Sequence, residues 1–214
     1  GGEGCERGQE GADREGGCPL GRPADDSPYP GRQRTACFIA HGLHAVGMGM
    51  ALNDVGVYIP AWFGAVASGF TGLLALEVTG RPNAAVAATC MMAILPAHLM
   101  RSVAGGYDNE SIAITAIVMT FYLWVRSLRD DRSWPYAILC GVAYVYMVAA
   151  WGGYVFVWNM IGVHAAVLIG FGRFSERLWK AYTLWYLVGV TGAVFGPARY
   201  LVGWQPFQSL EQLG

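Results

Sequence analysis

Residues 133–172 read SWPYAILCGVAYVYMVAAWGGYVFVWNMIGVHAAVLIGFG, forty residues without an Asp, Glu, Lys or Arg. One α-helix of that length would run roughly 60 Å, about twice the hydrocarbon thickness of a bilayer. The stretch therefore predicts two spans. The break falls at Trp151-Gly152-Gly153-Tyr154, where two glycines permit a tight turn and two aromatics suit a membrane interface.

The pattern repeats on both sides. Uncharged runs cover 35–53, 55–78 (broken by Glu77), 82–100, 111–125 and 181–198. Charged residues make up 14% of the chain, against about a quarter in an ordinary soluble domain, and they are clumped between these runs. For the bulk of the chain this excludes a soluble enzyme, a secreted disulfide scaffold and a disordered tail. Fourteen Lys and Arg against fifteen Asp and Glu leave a net charge of −1, which argues against a nucleic-acid partner. The fold class expected is an all-α polytopic membrane protein with about six spans, at 55–76, 83–100, 111–128, 135–151, 154–172 and 181–198, in contact with membrane lipid.

Charge fixes the direction of these spans. Loops 77–82, 126–134 and 173–180 carry Arg81, Arg126, Arg129, Arg132, Arg173, Arg177 and Lys180, whereas 101–110, 151–153 and 199–214 carry only Arg101 and Arg199. The excess of cations places the first set in the cytosol. The second set, with Asp108 and Glu110, then faces the lumen or exterior. Residues 35–53 are apolar enough to span but are joined to the next span by a very short connection, so an interfacial or re-entrant helix is preferred. Residues 1–17, nearly all Gly, Glu, Arg and Asp, hold no apolar periodicity and are expected to be disordered, or to reflect a misplaced start of the reading frame. Pro19, Pro23, Pro28 and Pro30 mark a turn-rich loop. Five cysteines, Cys5, Cys18, Cys37, Cys90 and Cys140, show no metal spacing and imply no disulfide framework.

The residues best suited to chemistry lie in Arg101-Ser-Val-Ala-Gly-Gly-Tyr-Asp108-Asn-Glu110. In an extended segment Asp108 and Glu110 point to one face, and two carboxylates without a nearby Cys or His suit a hard cation, Mg²⁺ or Mn²⁺. Arg101 is placed to orient a carboxylate or hold an anion. The alternative is structural: Asp108 caps the next helix and Glu110 favours its dipole. Elsewhere, His41 and His44 are spaced for one helix face, and His98 lies near a lumenal helix end. His164 and Asn159 are polar within a span, where they either function or bond across helices. Trp151, Tyr154, Trp158, Trp179, Tyr182, Trp185 and Tyr186 read as an aromatic belt at span ends. No internal repeat of the kind that builds many transporters is visible.

The segment Arg101-Ser-Val-Ala-Gly-Gly-Tyr-Asp-Asn-Glu-Ser-Ile-Ala-Ile114 closely resembles one in the catalytic subunit of eukaryotic oligosaccharyltransferase. So do Tyr146-Met-Val-Ala-Ala-Trp-Gly-Gly-Tyr-Val-Phe156, Gly172-Arg-Phe-Ser175 with Ala181-Tyr-Thr-Leu-Trp-Tyr186, and Val202-Gly-Trp-Gln-Pro206. Pro19-Leu-Gly-Arg-Pro23 and Tyr29-Pro-Gly31 resemble the end of that family's first lumenal loop. The likeness runs in order over about 18–214. It implies a GT-C-type transmembrane helix bundle in the endoplasmic reticulum membrane, with 18–54 ending the first lumenal loop and 199–214 opening a further lumenal segment.

It also implies an activity: transfer of a preassembled oligosaccharide from dolichyl diphosphate to Asn of Asn-x-Ser/Thr in an acceptor polypeptide, alongside other oligosaccharyltransferase subunits. By the same resemblance Asp108 and Glu110 bind Mn²⁺ or Mg²⁺, and Arg101 joins them in catalysis. The family's first acidic motif and its Trp-Trp-Asp-Tyr-Gly acceptor motif have no counterpart here, and Gly106 stands where the family often has Ser. The isolated chain is accordingly expected to be inactive. Two alternatives are a non-catalytic membrane subunit derived from the same family, and a channel or transporter with Asp108 and Glu110 at its mouth.

Overall fold

The computed structural model describes residues 31–45, 52–105, 109–130 and 132–194. Among them every regular element is helical, in keeping with the all-α expectation. The helices are α1 (Gly31–Ala45), α2 (Leu52–Thr79), α3 (Pro82–Ile94), α4 (Pro96–Ser102), α5 (Glu110–Ser127), α6 (Tyr136–Ala150), α7 (Tyr154–Gly170) and α8 (Glu176–Val194). The expectations for 1–17 and 199–214, and for the loop before residue 31, fall outside the described residues.

The helices begin and end within a few residues of the limits expected for the spans where both ends are described, with two differences. The span expected over 83–100 is broken. Leu95 is extended, Pro96 opens α4, and α3 and α4 meet at 61°, because proline cannot donate into the preceding turn and forces its predecessor out of the helical region. The second difference concerns length. By length and composition the one described helix fit to cross a bilayer alone is Asp54–Thr79, 26 residues with an 18-residue stretch of mean hydropathy 1.5, and the bent α3–α4 pair qualifies only when taken together. Helices α6 and α7 are apolar but have 15 and 17 residues, since the Gly152-Gly153 turn stops one and starts the other.

Two apolar clusters hold the bundle. The first joins α5, α6, α7 and α8 through Trp124, Tyr144, Met147, Val157, Ile161 and Trp185. Its centre is aromatic: Trp158 and Trp185 have ring centroids 4.5 Å apart, and Trp124 and Tyr144 each lie 6.0 Å from Trp185. This corrects the aromatic-belt expectation for Trp158 and Trp185, which face inward; Trp179, 59% exposed, faces out. The reason is helical phase. Trp158 and Trp185 share faces with the buried Ile161 and Ala181, three and four residues away. Glycine lets α6 meet α8 closely: a Cβ on Gly141 would stand 2.7 Å from that of Val188. The second cluster packs Ala40 of α1 with Val55, Ile59, Ile112 and Ala150, and Thr35 Oγ1 meets the Tyr146 hydroxyl at 2.8 Å.

His164 bonds across helices: the Trp124 indole N–H donates to its Nδ1 at 3.1 Å. Cys37 is disulfide-bonded, which corrects the expectation of no disulfide. An odd total says nothing about which individual thiols come together in space. Cys90 and Cys140 are free.

The loops assigned to one membrane side meet at one end of the bundle. Glu77, in the last turn of α2, has a side chain only 6% exposed and is clamped by Arg126, at 2.5 Å, and by Arg129. Arg177 donates to the Arg129 carbonyl at 3.1 Å. A carboxylate at a helix C-terminus opposes the dipole, and the two guanidiniums offset it. Glu77→Ala strips both arginines of that partner and is expected to lower stability by about 1.5–3 kcal/mol. Urea titration of the chain in detergent micelles reads this directly. A midpoint equal to that of the native chain would show that the clamp contributes nothing.

Candidate functional site

The acidic loop lies at the other end. Helix α4 ends at Ser102, and Val103 is extended. Gly105 adopts φ +91°, a conformation that side chains with a Cβ disfavour, and its amide donates to the Val57 carbonyl at 3.0 Å. The loop is thereby fastened to the first turns of α2 before it reaches α5.

Arg101 and Glu110 are brought together. Arg101 Nε lies 2.9 Å from Glu110 Oε2, with the two side chains 49% and 36% exposed. Arg101 is in the last turn of α4 and Glu110 in the first turn of α5, each placed where the helix dipole favours its charge. Asp108, the third residue expected in the site, lies outside the described residues. The N-cap of α5 is Asn109, with φ −75°, ψ −11° and no capping bond from its side chain. Two expectations change as a result. The N-cap position belongs to Asn109 rather than Asp108, and the backbone entering Glu110 is already helical rather than extended, because α5 starts there.

A hard divalent cation needs several oxygen donors. Glu110 is the right kind of donor and is partly exposed. Among the described residues no group of three or more His, Cys, Asp or Glu converges, so Glu110 stands there as one carboxylate held by an arginine. His41 and His44 do not gather into such a group either, and His41 Nδ1 meets the Cys37 carbonyl at 3.2 Å.

Sequence reasoning missed a buried polar layer behind this loop. His98 is 4% exposed, and its Nε2 lies 3.2 Å from the Gly64 carbonyl. Thr115 Oγ1 donates to the neighbouring Phe63 carbonyl at 2.8 Å. Ser102 and Ser111 hydroxyls are buried here without a partner. The available signal was polarity itself, since His98, Ser102, Ser111 and Thr115 interrupt faces that are otherwise apolar.

Comparison with known proteins bears on this arrangement. The family model described as oligosaccharyl transferase STT3, N-terminal, matches residues 18–213. A Caenorhabditis elegans protein named dolichyl-diphosphooligosaccharide–protein glycosyltransferase subunit stt-3 is 40% identical over 195 residues. The correspondingly named subunits of Dictyostelium discoideum and Saccharomyces cerevisiae are 38% and 37% identical. Each match covers 91% of this chain and 25–27% of the relative, so the chain spans about a quarter of their length. Its helices, its acidic loop and nearly its whole length thus fall within one family model, and the chain belongs to the oligosaccharyl transferase STT3 family.

Proposed function

We propose that this chain forms part of the transmembrane region of an oligosaccharyltransferase catalytic subunit, carrying one arm of the site that transfers an oligosaccharide from dolichyl diphosphate to asparagine of Asn-x-Ser/Thr. The observation that carries the reading is the match over residues 18–213, which takes in the whole Arg101–Glu110 loop. In this reading the protein is a multi-pass component of the endoplasmic reticulum membrane. The six predicted spans form a GT-C-type bundle, and α1 lies in the interface. Convergence of the Glu77, Arg126, Arg129 and Arg177 loops at one end of the bundle supports that topology. A disulfide at Cys37 suits an oxidising lumen.

Asp108 and Glu110 would hold Mn²⁺ or Mg²⁺, which when bound stabilises negative charge on the departing diphosphate. The chain's own residues do the rest. Arg101 keeps the Glu110 carboxylate oriented through its guanidinium. The fastening of Gly105 to Val57 holds that end of the loop against the bundle, and the Arg101 contact holds Glu110, so this carboxylate needs little rearrangement when substrate arrives. A carboxamide nitrogen is a poor nucleophile, and carboxylates positioned beside its N–H groups raise its reactivity by accepting hydrogen bonds.

The test is a chimera in which residues 18–213 replace the matching segment of the Saccharomyces cerevisiae subunit. Growth of a strain lacking its own copy, with a fully glycosylated reporter glycoprotein, is the expected result. A chimera that inserts, reaches normal abundance and leaves the reporter unglycosylated would overturn the reading. Within that chimera Arg101→Lys is expected to lower transfer about tenfold, because lysine keeps the charge but loses the planar fork. Transfer rates on a synthetic Asn-x-Thr peptide check it.

A further inference from the structure

Helix α4 carries Arg101, yet little in its own length holds its direction. It has seven residues, is extended at both flanks, and stands at 61° to α3. Two contacts with α2 fix it. At one, the His98 ring meets the Gly64 carbonyl at 3.2 Å. At the other, the Gly105 amide meets the Val57 carbonyl at 3.0 Å. The two partners on α2 are seven residues apart, as are the two on the α4 side, and α2 rises about 10 Å between them. Arg101 lies between the two fastenings, so its reach to Glu110 at 2.9 Å depends on both.

The His98 contact has a definite chemistry. A carbonyl oxygen only accepts, so the imidazole must donate, and Nε2 carries the proton. Nδ1, on the other side of the ring, is buried without a partner. The Gly64 carbonyl also accepts from Ser68 Oγ at 3.0 Å. Gly64 permits the approach because it has no side chain: a Cβ there would lie 2.6 Å from Ser102 Cβ and 2.7 Å from Ser102 Oγ. His98 and Ser102 are four residues apart on one face of α4, so ring and hydroxyl close on the same point of α2.

We infer that His98 is a positioning residue: by donating from Nε2 to the Gly64 carbonyl across the Gly64–Ser102 contact, it sets the angle of α4 and so carries Arg101 to Glu110. Its catalytic consequence rests on the reading above; its structural consequence does not.

Two measurements separate these. In the 214-residue chain in detergent micelles, His98→Leu is expected to speed hydrogen exchange of the Gly105 amide about tenfold. His98→Gln places a donor N–H where Nε2 stood and restores protection. His98→Asn, whose nitrogen matches Nδ1 instead, does not. Gly64→Ala reproduces the loss, and Ser102→Gly added to it recovers protection by removing the opposing Cβ, a compensation that general destabilisation would not give. In the yeast chimera the same series is expected to change kcat about tenfold while KM for the acceptor peptide stays within about twofold.

Gly105 protection that is unchanged in His98→Leu would overturn the proposal, as would Gln and Asn behaving alike, since volume rather than the donor would then matter. An inactive native chimera would defeat the functional reading, and the exchange series would still decide whether His98 pins α4.

Discussion

Replacing Asp108 with alanine in the yeast chimera is expected to reduce oligosaccharide transfer by at least about a hundredfold while leaving insertion and abundance unchanged. Glu110→Ala should do nearly the same by a second route, because it also releases Arg101 from its 2.9 Å contact. The two variants then differ in a measurable way. Asp108→Asn keeps size and loses charge, so adding Mn²⁺ or Mg²⁺ should not restore it. Arg101→Lys leaves both carboxylates in place and should recover in part as the cation is raised. Reporter glycosylation in cells gives the large effect, and peptide transfer in detergent across a cation series gives the finer distinction. Normal glycosylation by a well-expressed Asp108→Ala protein would remove the carboxylate pair from the mechanism.

Trp185→Ala is expected to have the largest effect on the fold, about 3–5 kcal/mol of stability. The side chain is fully buried and touches Trp124, Tyr144, Trp158 and Tyr182, so its loss opens a cavity where α5, α6, α7 and α8 meet. Trp185→Phe should cost about 1.5 kcal/mol or less. It keeps an aromatic ring and removes an indole N–H that is buried without a hydrogen-bond partner. Thermal unfolding in micelles, followed by circular dichroism, orders the two. Equal damage from both would mean that the indole nitrogen matters more than the ring.

Much of the fold is legible in the pattern of charge. Helices α2, α5, α6 and α7 begin and end near the predicted limits, since charged residues or paired glycines close each apolar run. The break at Pro96 was less legible, because a proline within an apolar run reads equally as a tolerated kink. The inward turn of Trp158 was hidden for a related reason. Where every face of a helix is apolar, periodicity cannot say which face meets a neighbour. At the site, charge and spacing picked out Arg101 and Glu110, which do meet. They could not reveal His98, whose importance comes from Gly64, thirty-four positions away, and from nothing adjacent to it.

The Trp158–Trp185 pair has an optical consequence. Two indoles with centroids 4.5 Å apart, inclined by 37° and with a third at 6.0 Å from one of them, are close enough for their transitions to mix and for excitation to pass between them before emission. Docked, α7 and α8 carry a coupled ultraviolet chromophore with its own dichroic signature and dimmed fluorescence; parted, the same indoles emit as independent fluorophores. The chain thus contains its own unlabelled gauge of whether those two helices have closed.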